Sequence, residues 1–197
     1  MSGTHHGSSA ISARVRHVEA LLEACGLVDE GEIDRRIDAF LAGGSPANGA
    51  RITARAWVDP GFRERLLVDA NAAIRELGLS MSGGLQEQRL KVVANTADEH
   101  NVVVCTLCSC YPIALLGPSP AWYKSEAYRS RVVRDPRGVL REFGLELPAG
   151  TRISVWDASA ESRYMVVPRR PEGTDGMSEE ELAGLVTRKG LIGTAAV

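Results

Sequence analysis

Three cysteines within six residues, Cys105-Thr106-Leu107-Cys108-Ser109-Cys110, constrain this chain more than any other stretch. Asn101-Val102-Val103-Val104 precedes them and reads as a short buried strand, and Tyr111-Pro112 follows as a turn signal. The thiols therefore sit where a strand gives way to a loop, a common place for chemistry on a rigid support. Cys105 and Cys108 alone would suit half a zinc site or a redox pair. The third thiol alters that reading. Cys108 and Cys110 are one residue apart, so the Ser109 and Cys110 amides lie close to any ion held by the flanking sulfurs. Three sulfurs and two amide nitrogens can fill five corners of an octahedron. Zinc prefers four tetrahedral ligands and has no use for deprotonated amides. A small trivalent transition ion suits such a claw better, with one position open for water or substrate.

Composition bounds the rest. The chain has 197 residues, 44% hydrophobic and 24% charged, enough for an ordinary core in one domain with an extension or in two small domains. A net charge of −2 gives no reason to expect nucleic acid or an anionic membrane as partner. No apolar run approaches a membrane span, and Met1-Ser2-Gly3-Thr4-His5-His6 lacks a basic-then-apolar leader. Cys25 apart, the cysteines are clustered, which fits a cytoplasmic metal protein better than a disulfide framework.

Residues 1–10, rich in Ser, Gly and His, read as a mobile tail in which His5 and His6 are inert. Ile11, Val15, Val18, Leu22 and Cys25 recur at helical spacing up to Gly26, with Cys25 a small packed residue and His17 solvated. A second helix spans about 30–41. Their narrow stripes need a surface to cover, so both helices are expected to pack on another chain. Ser45-Pro46, Asp59-Pro60, Ser119-Pro120 and Asp135-Pro136 each pair a cap with a helix-opening proline. They predict a helix over about 60–76 with Phe62, Leu66, Leu67, Ala70, Ala73, Ile74 and Leu77 inward, another over about 120–133, and another ending at Gly144. Residues 80–86 read as a loop; 89–94, 101–105, 152–156 and 164–167 read as strands. Ser178 to Glu181 is a capping box for a helix to about Lys189. Helices precede, interrupt and follow a few strands without alternating regularly, which makes the fold class α+β.

Val102-Val103-Val104-Cys105-Thr106-Leu107-Cys108-Ser109-Cys110-Tyr111-Pro112 resembles the metal-binding segment of nitrile hydratase alpha subunits. The resemblance continues through Ala54-Arg55-Ala56-Trp57-Val58-Asp59-Pro60, Val93-Ala94-Asn95-Thr96, Ala121-Trp122-Tyr123-Lys124, Tyr128 to Val133, Asp135 to Leu140 and Trp156-Asp157. It covers roughly Asn48 to the C-terminus, and thiocyanate hydrolase gamma subunits share the cysteine segment. It implies a layered α/β/β/α-type metal-binding domain at 48–197, which follows the partner-contacting helical arm at 1–47 read from the apolar stripes. It also implies hydration of a nitrile to an amide beside a beta subunit, with a metal-delivering chaperone as a candidate further partner. The metal would be held by Cys105, Cys108, Ser109 and Cys110, acting as a Lewis acid on the nitrile or on water. Cys108 would become a sulfinic acid and Cys110 a sulfenic acid, with Cys105 unmodified. The sulfenate oxygen of Cys110 would serve as nucleophile or base, with Ser109 and Gln86 lining the site. The charge of the oxidised sulfurs would be met by arginines of the beta subunit.

Asp157, Glu161 and His100 match family positions around the metal strand, and Arg163 is placed to pair with the two carboxylates. Trp122, Tyr123 and Tyr128 form an aromatic group of core or interface type, and Trp57 and Trp156 read as core. Thr106 resembles the residue of cobalt-type members where iron-type members carry serine, so Co(III) is expected over Fe(III). Where most members continue with Trp-Pro, this chain has Ile113-Ala114, which removes an indole from the pocket wall. A bulky heteroaromatic nitrile, such as the nucleoside antibiotic toyocamycin, is therefore the expected substrate. A zinc or iron-sulfur binding module without catalysis is the alternative class.

Overall fold

A computed structural model describes residues 5–83 and 86–197. The expected tail at residues 1–4, the side chains of His5 and His6, and Gly84 of the 80–86 loop lie outside the described residues. The chain divides into two compact units, Met1–Phe40 and Leu41–Val197. No helix among the described residues is long and apolar enough to cross a membrane.

The first unit is built from α1 (His5–Ala24) and most of α2 (Glu30–Gly43). The helix begins at His5, ahead of Ile11, because each residue added to a formed helix gains a hydrogen bond without a new nucleation cost. Gly26, at φ +66°, ends the first stretch. Its stripe is not packed: Ile11, Val15, Val18, Leu21, Leu22, Ile33 and Ile37 are all exposed. Cys25, expected to be a packed residue, is exposed with them.

In the second unit, short polar side chains divide the helices. Ser45 caps α3 (Pro46–Val58), accepting from the Ala47 amide at 3.2 Å. Asp59 ends α3 and opens α4 (Pro60–Val68), accepting from Phe62 N at 2.9 Å. The helix expected over 60–76 is two helices. Asp69 leaves helical geometry at φ −138°, ψ 89°, and its carboxylate accepts from Ala72 N to open α5 (Ala70–Arg75). Leu67, expected inward, is 41% exposed as a result.

Strand β1 (Arg89–Ala94) pairs in parallel with β4 (Ser162–Val167), and β2 (Glu99–Val104) with β3 (Arg152–Asp157). These are two ribbons of two strands, joined by corners at 95–98 and 158–161. Helix contacts surround both ribbons, and Val102, Val103, Val104, Met165, Val166 and Val167 fill the core between them. The register sets Val104 opposite Asp157, which fixes the level at which β2 runs out into the cysteine loop.

After the loop come α6 (Ile113–Leu116), which Tyr111-Pro112 had suggested only as a turn, and a 3-10 turn at Ala121–Lys124. The helix expected through Val133 restarts at Ser125, which caps α7 (Glu126–Arg131); α8 (Pro136–Glu142) follows. The final helix likewise divides into α9 (Glu179–Leu185) and α10 (Arg188–Ile192), with Thr187 capping the second. Two glycines permit the tight packing. A Cβ on Gly49 would lie 2.5 Å from Leu191 Cδ1, where α3 meets α10. At Gly193, φ +88°, it would lie 1.9 Å from the Asn101 carbonyl oxygen of β2.

Candidate metal centre

Cys105 follows β2 directly and is buried, whereas Cys108 is exposed and Cys110 half-buried. The sulfurs of Cys105 and Cys108 are 3.3 Å apart and those of Cys108 and Cys110 3.2 Å apart, and all three fall within 4.8 Å of one another. The loop has therefore closed on itself, and Leu107 projects outward, 90% exposed.

Hydrogen bonding within the cluster separates its acidities. Cys108 is pulled down to about 7, first by the Cys110 thiol, then by the Cys105 thiol, and further by the Cys110 and Ser109 amides. Cys110 is pushed up to about 12 by burial and by the hydrogen bond it supplies to Cys108, with Arg163 opposing the shift. The Cys108 amide donates to the Cys105 sulfur at 3.4 Å. Three sulfurs sharing protons, with backbone N–H groups of the same loop beside them, form a donor set suited to a cation that would displace those protons. The set fits a trivalent transition ion held by sulfur and amide nitrogen, and among the described residues it lacks the fourth soft ligand of a closed zinc site.

The loop is held from three elements. Asp157, ending β3, accepts from Thr106 N at 2.9 Å and from Thr106 Oγ1 at 2.6 Å. Ala158 N donates to the Val104 carbonyl at 2.7 Å. Tyr123 donates to the Cys110 carbonyl at 2.9 Å, and Tyr128 to the Val103 carbonyl at 2.6 Å. Burial raises both phenols well above their usual range, so each stays a donor. Edge-on packing of Tyr123 with Tyr111 and of Trp122 with Tyr128 and Phe143 stiffens this floor. Trp57 and Trp156 are half-buried, and their indoles donate to Pro168 O and Asn101 Oδ1.

The other expected residues divide. Arg163 is buried and acts electrostatically on Cys110, but it does not pair with Asp157 or Glu161. Its guanidinium donates to the Ser159 and Ala160 carbonyls, because Asp157 is committed to Thr106 and Glu161 accepts from Ser159 Oγ. Its Nε is buried without a partner. His100 lies at the other end of β2, five residues from Cys105 and about 16 Å away at strand rise. It is satisfied there: Nε2 is 2.7 Å from the Gly193 carbonyl and Nδ1 is 3.1 Å from the Asn95 amide nitrogen. The Asn95 oxygen takes the Asn101 N–H, which leaves its NH2 as donor and fixes the neutral histidine with hydrogen on Nε2. Gln86 is exposed in the loop before β1. Ala114 is buried and Ile113 half-buried against the core, so only Ile113 retains surface beside the loop.

Sequence reasoning gave Arg129 no role at the loop. Its Nη1 donates to the Cys108 carbonyl at 2.9 Å. Nothing in the local pattern distinguishes it from Arg131, which pairs with Glu142.

Comparison with known proteins agrees with this geometry. The family described as nitrile hydratase, alpha chain, matches residues 9–195, so the likeness begins well ahead of Asn48 and takes in the helical arm. The low-molecular weight cobalt-containing nitrile hydratase subunit alpha of Rhodococcus rhodochrous is 52% identical over 185 residues, 94% of this chain and 88% of that one. A double mutant of the Fe-type nitrile hydratase from Comamonas testosteroni Ni1 superposes with a TM-score of 0.82 at 40% identity, covering 95% of this chain and 90% of its own. A recombinant thiocyanate hydrolase comprising partially modified cobalt centres superposes at 0.86 with 39% identity, covering 94% and 88%. With its α+β fold, its claw of three thiols and a match over nearly its whole length, this chain belongs to the nitrile hydratase alpha-chain family.

Proposed function

We propose that this chain is the metal-bearing subunit of a nitrile hydratase that works with a beta subunit at a non-corrin cobalt(III) centre. The reaction is RCN + H2O → RCONH2. The observation that carries the reading is the convergence of three sulfurs within 4.8 Å of one another, in a loop that brings the Ser109 and Cys110 amides beside them. Cys105, Cys108 and Cys110 would hold the ion through sulfur, and Ser109 and Cys110 through their amide nitrogens. The ion supplies Lewis acidity toward the nitrile nitrogen or toward water. Cobalt over iron is supported by Thr106 and by cobalt-containing relatives in Rhodococcus rhodochrous and Pseudonocardia thermophila.

The protein's own groups do the rest. With Cys108 as sulfinate and Cys110 as sulfenate, the Cys110 oxygen would either accept a proton from the attacking water or itself attack the nitrile carbon, in which case water then attacks the Cys110 sulfur, breaking the S–O bond, releasing the imidate and restoring the sulfenate. The imidate so formed tautomerises to the amide. The Ser109 hydroxyl orients water or substrate, and Gln86 lines the site once the partner closes over it. Arg163 offsets negative charge at Cys110, and Asp157 keeps the loop on β3. Glu161 acts at one remove, by holding the Ser159 turn from which Arg163 hangs. The exposed Cys108 and Leu107 support a second chain as the missing wall. The substrate is a bulky heteroaromatic nitrile, admitted by Ile113-Ala114 where an indole and a proline would narrow the mouth.

A thiocyanate hydrolase gamma-like role has support in a relative 46% identical over 158 residues. Turnover decides between them. The chain, produced with its beta partner, is assayed on a small aliphatic nitrile, a heteroaromatic nucleoside nitrile and thiocyanate, as wild type and as Ile113→Trp. The reading predicts the highest kcat/KM on the heteroaromatic nitrile and its selective loss in Ile113→Trp. Preference for thiocyanate would transfer the chain to the other branch, and preference for the small nitrile with no effect of Ile113→Trp would end the pocket argument.

A further inference from the structure

Two arginines on α7 have different occupations. Arg131 is in a surface pair with Glu142. Arg129 turns toward the cysteine loop, where Nη1 donates to the Cys108 carbonyl at 2.9 Å and Nε is buried without an acceptor. No carboxylate pairs with Arg129 among the described residues, so a whole positive charge is committed to one peptide oxygen.

That oxygen belongs to the peptide whose nitrogen is Ser109 N. A trans peptide is planar, so its C=O and N–H point in opposite directions. Holding the Cys108 oxygen against α7 therefore turns the Ser109 nitrogen away from α7, and the Ser109 amide contributes to the lowered pKa of the Cys108 thiol. Tyr123 fixes the next cysteine carbonyl, that of Cys110, with a neutral donor, although the nitrogen of that peptide is Tyr111 N rather than an expected ligand. Arg129 is the cationic member of this pair, and a hydrogen bond from a charged donor holds about twice as strongly as a neutral one.

We propose that Arg129 is a positioning residue of the metal centre. It anchors the Cys108–Ser109 peptide with its nitrogen facing the thiols, and it offsets the negative charge that spreads to the peptide oxygen when that nitrogen serves as a ligand. The role rests on the thiol cluster being a metal centre, but the orientation is present in the metal-free chain and can be read there. It also means that this chain brings cations of its own, Arg129 and Arg163, to a site whose charge was expected to be met by arginines of the beta subunit.

The test uses the full chain as wild type, Arg129→Gln, Arg129→Lys and, as control on the same helix, Arg131→Gln. Amide hydrogen exchange at Ser109 and Cys110 is followed by NMR in the metal-free protein. Cobalt loss to a chelator and the visible sulfur-to-cobalt band are followed in the complex with the beta partner. Arg129→Gln is expected to exchange Ser109 about tenfold faster, to lose cobalt faster by a similar factor and to shift the band, with the thermal midpoint unchanged. Arg129→Lys should restore most of both, and Arg131→Gln should alter neither. Wild-type exchange or wild-type cobalt retention in Arg129→Gln overturns the role, as does an equal effect of Arg131→Gln. A wild-type complex that takes up no cobalt overturns the metal reading itself, which is recognisable because the exchange measurement still responds to Arg129.

Discussion

Asp157 clamps the start of the cysteine loop. Both of its oxygens are used, one by the Thr106 amide and one by the Thr106 hydroxyl. In Asp157→Asn one oxygen becomes an NH2 facing a donor, so half of the clamp becomes a repulsion. Outer partners of this kind commonly change metal affinity by about 10–100-fold. Asp157→Asn should therefore fall in that range in cobalt affinity measured by competition with a chelator, and Thr106→Val, which loses the hydroxyl contact alone, should fall less. Wild-type affinity in Asp157→Asn would show that the clamp is dispensable. The thiols were legible in the sequence because their spacing alone creates the claw. The Asp157 contact was not, since it depends on a β2–β3 register that joins residues about fifty apart. Arg129 was legible least of all, because its heading follows from where α7 restarts after Ser125.

The strand boundaries lie within two residues of those the alternation predicts, while three helices that periodicity reads as continuous are each broken once. The breaks fall at Asp69, Ser125 and Thr187, where a carboxylate or hydroxyl takes over an amide three residues on. None is marked by glycine or proline, and the apolar spacing runs on across them, so the pattern conceals the interruption. The α10–β2 contact makes two predictions. In Gly193→Ala, a Cβ placed against backbone at a left-handed φ leaves no room to relax. The variant should displace the end of α10 from β2 and lose the His100 bond, lowering stability by about 2 kcal/mol or more in urea unfolding. An unchanged midpoint would show that the contact is not tight. The second prediction concerns pH. Burial holds His100 below its ordinary value of 6.5, with the Gly193 carbonyl opposing the shift. The unfolded chain takes up a proton as pH falls through about 6.5, and the folded chain does not until lower pH. Stability is therefore full above that point and declines as pH falls toward about 5, before the carboxylates begin to titrate. His100→Gln should flatten the thermal midpoint over that window; an equal decline in the variant would assign it elsewhere.

The whole molecule consists of a residue 1–40 unit with an unpacked apolar stripe and a 41–197 unit that carries the thiols. Left in water, such a stripe has nothing to bury against, which is the physical reason to expect a second chain. Deleting residues 1–40 should leave the circular dichroism and thermal transition of the remainder intact, while co-purification with the beta partner and nitrile turnover both fall sharply. Undiminished assembly would assign the stripe another role. The central claim is that the cysteine loop holds cobalt(III) through sulfur and amide nitrogen. It is tested most directly by elemental analysis and visible absorption of the wild-type complex, expressed with cobalt, iron and zinc all supplied, beside Cys108→Ala. The account predicts one cobalt per chain with a sulfur-to-cobalt absorption band, both lost in Cys108→Ala. A colourless zinc protein, or cobalt bound equally well by Cys108→Ala, would contradict it.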